Sequence, residues 1–217
     1  MQPAGNTRNR SPGTRLAGPC AVAGAGTAGV VVTALRARRG QMGGGEARVF
    51  RAVNGLPDRL YRPVWAVMQL GVLGAAPAAA GAALLAHDRQ LAGRLLVSGT
   101  GAWALSKLVK QVVRRPRPAA LLSDVRIRGP EASGLGYLSG HTGVAVALGV
   151  AAFPRLGFRG RAAVIAGMPA VGLSRIYVGA HLPLDVAGGA ALGLAVQAAV
   201  ARATRSPTAQ PGGPPRR

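Results

Sequence analysis

The sequence predicts an all-α fold, specifically an integral membrane helical bundle of about six transmembrane helices. Of its 217 residues, 49% are hydrophobic and only 15% are charged, which is a low charge fraction for a soluble domain. Apolar runs approach the roughly 20 residues that a helix needs to cross a bilayer core, and arginines separate them. Several runs are rich in Ala and Gly, which suits close helix packing in lipid.

Composition divides the chain into four parts. Residues 1–15 form a basic polar tail and residues 204–217 a tail rich in Pro, Gly and Arg, and we expect both to be disordered. Residues 16–62 hold a marginal first span and an interfacial amphipathic segment. Residues 63–203 hold a core of about five transmembrane helices.

The part comprising residues 16–62 contains two elements. Leu16–Leu35 follows three arginines and is either an uncleaved anchor or a signal peptide, and the lack of a convincing cleavage site before Arg36 favours the anchor. Apolar residues spaced among charges predict a short interfacial helix within Glu46–Leu60, ending at Gly55–Leu56–Pro57.

Five apolar runs predict the remaining spans. The clearest, Val64–Ala86, has no charged residue and one internal proline, Pro77, which membrane helices tolerate. The others are Leu91–Val113, a run from His141 to Phe153–Pro154, Ala162–Val178 and Leu184–Ala201.

The net charge of +21 indicates an anionic partner. Nucleic acid is disfavoured because two Trp, three Tyr and three Phe offer few stacking surfaces and the arginines are dispersed. The single cysteine, Cys20, excludes an internal disulfide. No Cys/His/carboxylate set has metal-ligand spacing, so we expect no metal and no other cofactor. The oligomeric state is left open.

Three polar clusters lie at the ends of these spans. The first is KQVVRRPRP, Lys110 to Pro118. The only lysines, Lys107 and Lys110, fall near a helix end, and prolines and arginines follow. Taken alone, the cluster favours snorkelling cations at the headgroup boundary over an anion site.

The second cluster, Ser139–Gly140–His141, precedes an apolar run, so it opens a helix. The free N–H groups of a helix N-terminus bind phosphate well, and Gly140 permits close approach of the backbone. Ser139 is equally explained as a helix cap. A cap does not explain His141.

The third cluster is SRIYVGAHLPLD, Ser174 to Asp185. His181 and Asp185 are four residues apart, so on a helix they would share a face, with Asp185 orienting the imidazole. The alternative is a capping Asp beside an unrelated His. Counting spans places all three clusters on one side of the membrane, an arrangement typical of phosphoryl transfer.

These blocks resemble the type 2 phosphatidic acid phosphatase superfamily. Its K-x6-R-P signature corresponds to Lys110 and Arg117–Pro118, its P-S-G-H block to Leu138–His141, and its S-R-x5-H-x3-D block to Ser174–Arg175, His181 and Asp185. The order and internal spacing agree over about residues 60–203. The departure is Leu138, where the family usually has Pro.

The resemblance implies a membrane phosphatase acting on a lipid phosphate or prenyl diphosphate without metal. It implies that His181 attacks phosphorus to form a phosphohistidine, Asp185 orients it, and His141 protonates the leaving oxygen. The phosphate-binding residues it implies are Lys110, Arg117, Ser139, Gly140 and Arg175.

Two other functions remain to be weighed: a non-catalytic protein that binds anionic lipid in the same pocket, and a soluble haloperoxidase with the same site. Intact His141, His181 and Asp185 disfavour the first, and the apolar runs disfavour the second. The expected location is the cell membrane, multi-pass, with the active site extracytoplasmic as in the family. Arginines are similarly numerous on both sides, so charge does not decide the orientation.

Overall fold

A computed structural model describes residues 19–39 and 42–204, with side chains from residue 21 onward. The predicted N-terminal tail and all but Thr204 of the predicted C-terminal tail lie outside the described residues. The described part is α-helical with short 3₁₀ turns, so the all-α class is confirmed. Its helices are α1 Pro19–Arg38, α2 Gly44–Asn54, α3 Tyr61–Met68, α4 Ala75–Leu85, α5 Arg89–Val113, α6 Gly140–Ala152, α7 Phe158–Tyr177 and α8 Pro183–Ala203.

Helix α6 lies at the centre, packed against α5, α7 and α8. Its Val144, Ala147 and Ala151 are fully buried. Glycines allow the close approach: a Cβ on Gly193 of α8 would lie 2.5 Å from the carbonyl oxygen of Gly143 in α6. Because a backbone atom cannot move aside cheaply, this crossing depends on the missing side chain.

Helix α1 runs antiparallel along α8. A Cβ on Gly26 would lie 2.7 Å from the backbone nitrogen of Ala195, and one on Gly29 would lie 2.9 Å from the Cβ of Ala191. From Pro19 onward, the marginal first apolar run is therefore a helix that packs on the bundle through small residues. The predicted division of the chain at residues 62 and 63 stays a prediction.

The run Val64–Ala86, predicted as a span, is not one continuous helix. Helix α3 ends in the 3₁₀ turn Gln69–Gly71, and α4 then leaves at an angle of 71°. Gly71 lies so close to the carbonyl oxygen of His141 that a Cβ would collide with it. Pro77 does not cause the break, because it lies in the first turn of α4, where a proline needs no intrahelical partner.

The predicted amphipathic helix is present as α2. Its Phe50 is buried against Ile176 and Leu182, so this apolar side chain contacts protein. The chain then turns through the 3₁₀ segment Asp58–Leu60 into α3.

Among the described residues, one helix, Pro183–Ala203, is long and apolar enough by itself to cross a membrane. The bent pair Asp58–Gly71 and Ala75–Leu85 would be a second if it forms a single span. The number of six spans stays a prediction.

Candidate active site

One end of the bundle gathers the three polar clusters. There α5 and α7 end, α6 and α8 begin, and the connection from Arg114 to Ser139 lies between them. Six of the eight predicted site residues line a single cleft with a cavity volume of about 180 Å³, which we call the phosphate cavity: Lys110, Arg117, Gly140, His141, Arg175 and His181. The broken α3–α4 segment adds Gly71, Val72 and Leu73 to its wall, and α5 adds Trp103, Ser106 and Lys107.

Ser139 and Asp185, the other two predicted residues, are fully buried behind this cavity. The amide of Ser139 donates to the carbonyl oxygen of Asp185 at 2.9 Å, which joins the start of α6 to the start of α8. The two helix N-termini are therefore held side by side.

Ser139 is the N-cap of α6, as the alternative interpretation expected. Its hydroxyl oxygen accepts from the amide of Thr142 at 3.4 Å and from the Thr142 hydroxyl at 2.9 Å. No hydrogen bond within the described residues engages the amides of Gly140 and His141, so both remain available to an anion.

The contact with α5 also requires glycine at position 140. A Cβ there would lie 2.8 Å from the Oγ of Ser106 on α5. The absence of a side chain thus seats the start of α6 against α5, in addition to exposing its amide to the cavity.

Lys110 holds the chain segment before α6. Its ammonium donates to the carbonyl oxygens of Leu135, Gly136 and Leu138 at 3.2, 3.1 and 2.7 Å. An ammonium has three N–H donors, so Lys110 positions this segment while its charge faces the phosphate cavity.

Arg117 has a similar double role. It donates to the carbonyl oxygens of Ser133 and Gly134 on the connection and to that of Ala180 at 2.7 Å, just before His181. Lys110 and Arg117 together fasten the connection to both ends of the site.

Arg175 is 9% exposed and keeps unused donor capacity. Its Nη1 contacts the Met68 sulfur at 2.7 Å, and its Nε has no hydrogen-bond partner within the described part of the chain. A buried guanidinium with unused donors is costly unless an anion completes its hydrogen bonds.

His181 and Asp185 do not lie on one helix. His181 lies in the turn between α7 and α8, because Pro183 is the first residue of α8. The Nδ1 of His181 nevertheless faces Asp185 Oδ2 at 3.7 Å, beyond hydrogen-bond distance, and is buried without a partner among the described residues. Burial lowers the pKa of His181 to about 4, against the opposing effect of Asp185, so the ring is neutral near pH 7.

Asp185 has partners that the sequence interpretation missed. One oxygen accepts from the Leu182 amide at 2.9 Å, which caps α8. The other accepts from Arg115 at 2.9 Å. Asp185 therefore both caps a helix, as the alternative interpretation held, and faces His181.

Arg115 bridges Asp185 to Glu46 of α2, which accepts two further hydrogen bonds from the guanidinium at 2.7 and 3.0 Å. Burial alone would lower the pKa of Arg115, but Glu46 and Asp185 together hold it above its usual value. Glu46 also accepts from the Leu184 amide at 3.0 Å. The sequence could have drawn attention to Glu46 because the chain has only six acidic residues.

Lys107 is a further cation that the predicted site omitted. It lines the phosphate cavity, and its ammonium lies 5.5 Å from the centre of the Trp103 ring. No hydrogen bond or ion pair engages it among the residues the structure describes. Lys107 lies one helical turn before Lys110, so the sequence already indicated that the two side chains share one face of a helix.

Metal-ligand clusters of three or more His, Cys, Asp or Glu are not found in the described residues. The polar groups that converge on the phosphate cavity are cations, helix amides and two imidazoles, a set suited to binding a phosphate group.

Comparison with known proteins agrees with this geometry. Residues 91–208, more than half of the chain, match the PAP2 superfamily. Decaprenylphosphoryl-5-phosphoribose phosphatases from two strains of Mycobacterium tuberculosis, CDC 1551/Oshkosh and H37Rv, are each 38% identical over 112 residues. The match covers 48% of this chain and 58% of each relative.

Two solved structures share the fold. LpxE from Aquifex aeolicus superposes with a TM-score of 0.60 at 23% identity, over 72% of this chain and 94% of that one. A transmembrane PAP2-type phosphatidylglycerolphosphate phosphatase from Bacillus subtilis superposes with a TM-score of 0.59 at 22% identity, over 82% and 94%. The family match spans all three polar clusters, and the fold match covers most of the chain. The chain therefore belongs to the PAP2 superfamily.

Proposed function

We propose that this protein is a membrane phosphatase that releases phosphate from an anionic lipid phosphate or a prenyl diphosphate. The observation that carries the proposal is the convergence of Arg175, His141, His181 and the free amides of α6 on one cavity. The Mycobacterium relatives are named for a prenyl-linked substrate, decaprenylphosphoryl-5-phosphoribose, which supports prenyl phosphates as candidates.

The proposed first step is attack of His181 Nε2 on phosphorus. The ring is neutral and its Nδ1 faces Asp185, so Nε2 carries the lone pair. A P–N bond forms as the P–O bond to the lipid breaks, and the leaving oxygen takes a proton from His141. Asp185 stabilises the positive charge that develops on the attacking ring.

The second step reverses these roles. A water molecule gives a proton to His141, its oxygen bonds to phosphorus, and the P–N bond breaks to release inorganic phosphate and restore His181. A general acid–base group of this kind contributes about 10²–10⁴-fold.

Phosphoryl transfer is accelerated mainly by charge and positioning. We propose that Arg175 and the Gly140 amide hold the phosphate oxygens directly, while the buried Ser139 contributes by capping α6 so that this amide faces the cavity. Lys110 and Arg117 would add positive charge while they hold the connection in place. The mechanism requires no metal ion.

The test is phosphate release by detergent-solubilised full-length protein in EDTA, with phosphatidate, a prenyl diphosphate and a soluble sugar phosphate. We expect wild type to hydrolyse a lipid substrate and His181→Ala to lose that activity by more than about 10⁴-fold. Acid-labile radiolabel from a phosphate-labelled substrate should remain on a His141→Ala variant and be absent from His181→Ala. Equal background release by wild type and His181→Ala on every substrate would reject the enzyme, and phosphate-dependent lipid binding without turnover would indicate the non-catalytic alternative.

We further propose that the protein crosses the cell membrane several times and that the site faces outward. Ser123 is exposed on the connection beside the site. In a Cys20→Ser background, Ser123→Cys should react with a membrane-impermeant thiol reagent in intact cells. Labelling only after lysis would place the site on the cytoplasmic side.

A further inference from the structure

Helix α1 lies outside residues 91–208, the part of the chain that matches the PAP2 superfamily. Its C-terminal end nevertheless lies at the site end of the bundle. There Ala37 is buried, and Arg38 donates to the carbonyl oxygen of Val112, near the end of α5, at 2.9 Å. Helix α1 is therefore placed to influence the site, although none of its described residues lines the phosphate cavity.

Tyr137 connects α1 to the segment that leads into α6, residues 135–139, which we call the entry segment. Its side chain is fully buried. The phenol oxygen lies 2.8 Å from the hydroxyl oxygen of Thr33 and 3.0 Å from the carbonyl oxygen of Val30, both on α1. A phenol donates one hydrogen bond and can also accept, so the bonds that the Tyr137 hydroxyl makes within the described residues all go to α1.

Helix α8 closes the other side of the Tyr137 ring. A Cβ on Gly188 of α8 would lie 2.7 Å from both the ring and the hydroxyl oxygen of Tyr137, so the aromatic side chain fills the space that this glycine leaves. A buried hydroxyl that loses its partners carries a desolvation cost. The contacts with α1 and α8 together therefore fix where Tyr137 lies.

The position of Tyr137 bears directly on the amides that bind phosphate. Only two residues separate it from Gly140, whose amide the described residues leave free for an anion at the phosphate cavity. Lys110 holds the backbone of the entry segment from α5, through the carbonyl oxygen of Leu138 at 2.7 Å among others. Tyr137 holds the same segment from α1, so the start of α6 is fastened from two sides.

We propose that α1 is a positioning element of the active site. Thr33, acting through Tyr137, holds the entry segment so that the free amides at the start of α6 face the phosphate. Neither side chain lines the phosphate cavity, so both are positioning residues. The proposal rests on the proposed phosphatase function, and it assigns to this apolar helix a part in phosphate binding and turnover beyond anchoring the chain in a membrane.

The experiment uses full-length wild type, Thr33→Val and Thr33→Ser in detergent. It measures hydrolysis of phosphatidate and farnesyl diphosphate, and binding of inorganic phosphate by tryptophan fluorescence, because Trp103 lines the phosphate cavity. Valine keeps the shape of threonine without its hydroxyl. We expect Thr33→Val to lower kcat/KM and to weaken phosphate binding by about fivefold each, as for the loss of one hydrogen bond. Thr33→Ser should restore both values, because it keeps the hydroxyl.

A double-mutant comparison separates positioning from general stability. Because Thr33 acts through Tyr137, Thr33→Val should have no further effect on kcat/KM in a Tyr137→Phe background. Thermal unfolding in the same detergent identifies a temperature at which every variant is folded, and phosphate binding is compared there. A merely structural role would lower the unfolding temperature and leave phosphate binding by the folded variants unchanged.

The matched control is Thr100→Val on α5. The Thr100 hydroxyl donates to the carbonyl oxygen of Leu96 at 2.6 Å, just as Thr33 donates to that of Gly29 at 2.6 Å, so the substitution removes the same bond within a helix. The control should keep the wild-type kcat/KM and phosphate affinity.

Three results would decide against one or both proposals. Wild-type turnover and phosphate binding in Thr33→Val, or losses that add to those of Tyr137→Phe, would overturn the role of α1 and leave the phosphatase proposal standing. Phosphate binding that depends on Thr33, without hydrolysis of either substrate by wild type, would overturn the phosphatase proposal and support the positioning of the amides by α1. Absence of both binding and turnover in wild type would overturn both.

Discussion

At the site end of the bundle, Asp185 caps α8 and pairs with Arg115 at 2.9 Å, whereas at the opposite end Asp88 caps α5 and pairs with Arg155 at 3.3 Å. The first pair is buried, with side chains 0% and 3% exposed, and the second is open to solvent at 23% and 49%. The same residue types at the same kind of helix terminus thus occupy opposite environments.

The difference lies in what surrounds each pair. Arg115 is sandwiched between Asp185 and Glu46, and Glu46 comes from α2, which covers the start of α8. Nothing comparable covers Asp88 among the described residues. Removing one partner of a buried ion pair leaves the other charge buried and unpaired, whereas an exposed pair contributes little to stability. We therefore expect substitutions at the two ends to differ sharply in their effects on activity and stability.

The largest effect is expected on activity from Asp185→Asn. Removing the charge beside His181 should lower kcat by about 10³–10⁴-fold, as when a nucleophile–base system loses its orienting carboxylate. Asp88→Asn should stay within about twofold, because Asn also caps helices well. Similar losses in the two variants would mean that the burial of Asp185 has no bearing on catalysis.

Arg115→Met should have the largest effect on folding. It leaves two carboxylates without their cation, and breaking such a buried pair costs about 3–5 kcal/mol. The matched Arg155→Met at the open end should cost less than about 1 kcal/mol. Denaturant or thermal unfolding in the same detergent measures both, and equal destabilisation would remove the basis of the comparison.

Glu46→Gln measures how much Glu46 contributes to the network that it forms with Arg115 and Asp185. Glutamine keeps an acceptor for the Leu184 amide but loses the charge-assisted bonds to Arg115. We expect a loss of about 1–2 kcal/mol, smaller than for Arg115→Met, because Asp185 retains its cation. A loss as large as that of Arg115→Met would show that Glu46 is the main partner of the arginine.

Ionic strength should have the smallest effect on the unfolding free energies of these variants. Raising the ionic strength from about 0.05 M to about 0.5 M screens exposed charges and spares buried ones. The difference in unfolding free energy between wild type and Arg155→Met should shrink toward zero, while that between wild type and Arg115→Met should persist. Parallel salt dependence of the two differences would mean that solvent reaches both pairs equally.

Much of the site could be predicted because its information is local. The spacings from Lys110 to Arg117, across Ser139–Gly140–His141 and from His181 to Asp185 are short, and each lies at the edge of an apolar run. The side chains therefore had to fall near helix ends, and six of the eight predicted residues do line one cavity.

Arg115 and Glu46 could not be found in the same way. Arg114, Arg115 and Arg117 lie within one short stretch, RRPR, and are chemically equivalent. Only the turn after α5 directs Arg115 inward toward Asp185. Glu46 lies 69 residues from Arg115 in the chain, and no local pattern connects them. The break in the predicted span Val64–Ala86 could not be found for a related reason, since Gly71 lies against His141, which is distant in the chain.

By itself, the sequence determined an all-α chain of small-residue helices with three polar clusters at helix ends, because hydropathy, glycine content and motif spacing are properties of neighbouring residues. Tertiary structure decided which arginine meets Asp185, that Glu46 reaches the same arginine, and where the apolar run Val64–Ala86 breaks. These outcomes depend on burial and on contacts between segments far apart in the chain, which exist only once the helices have packed.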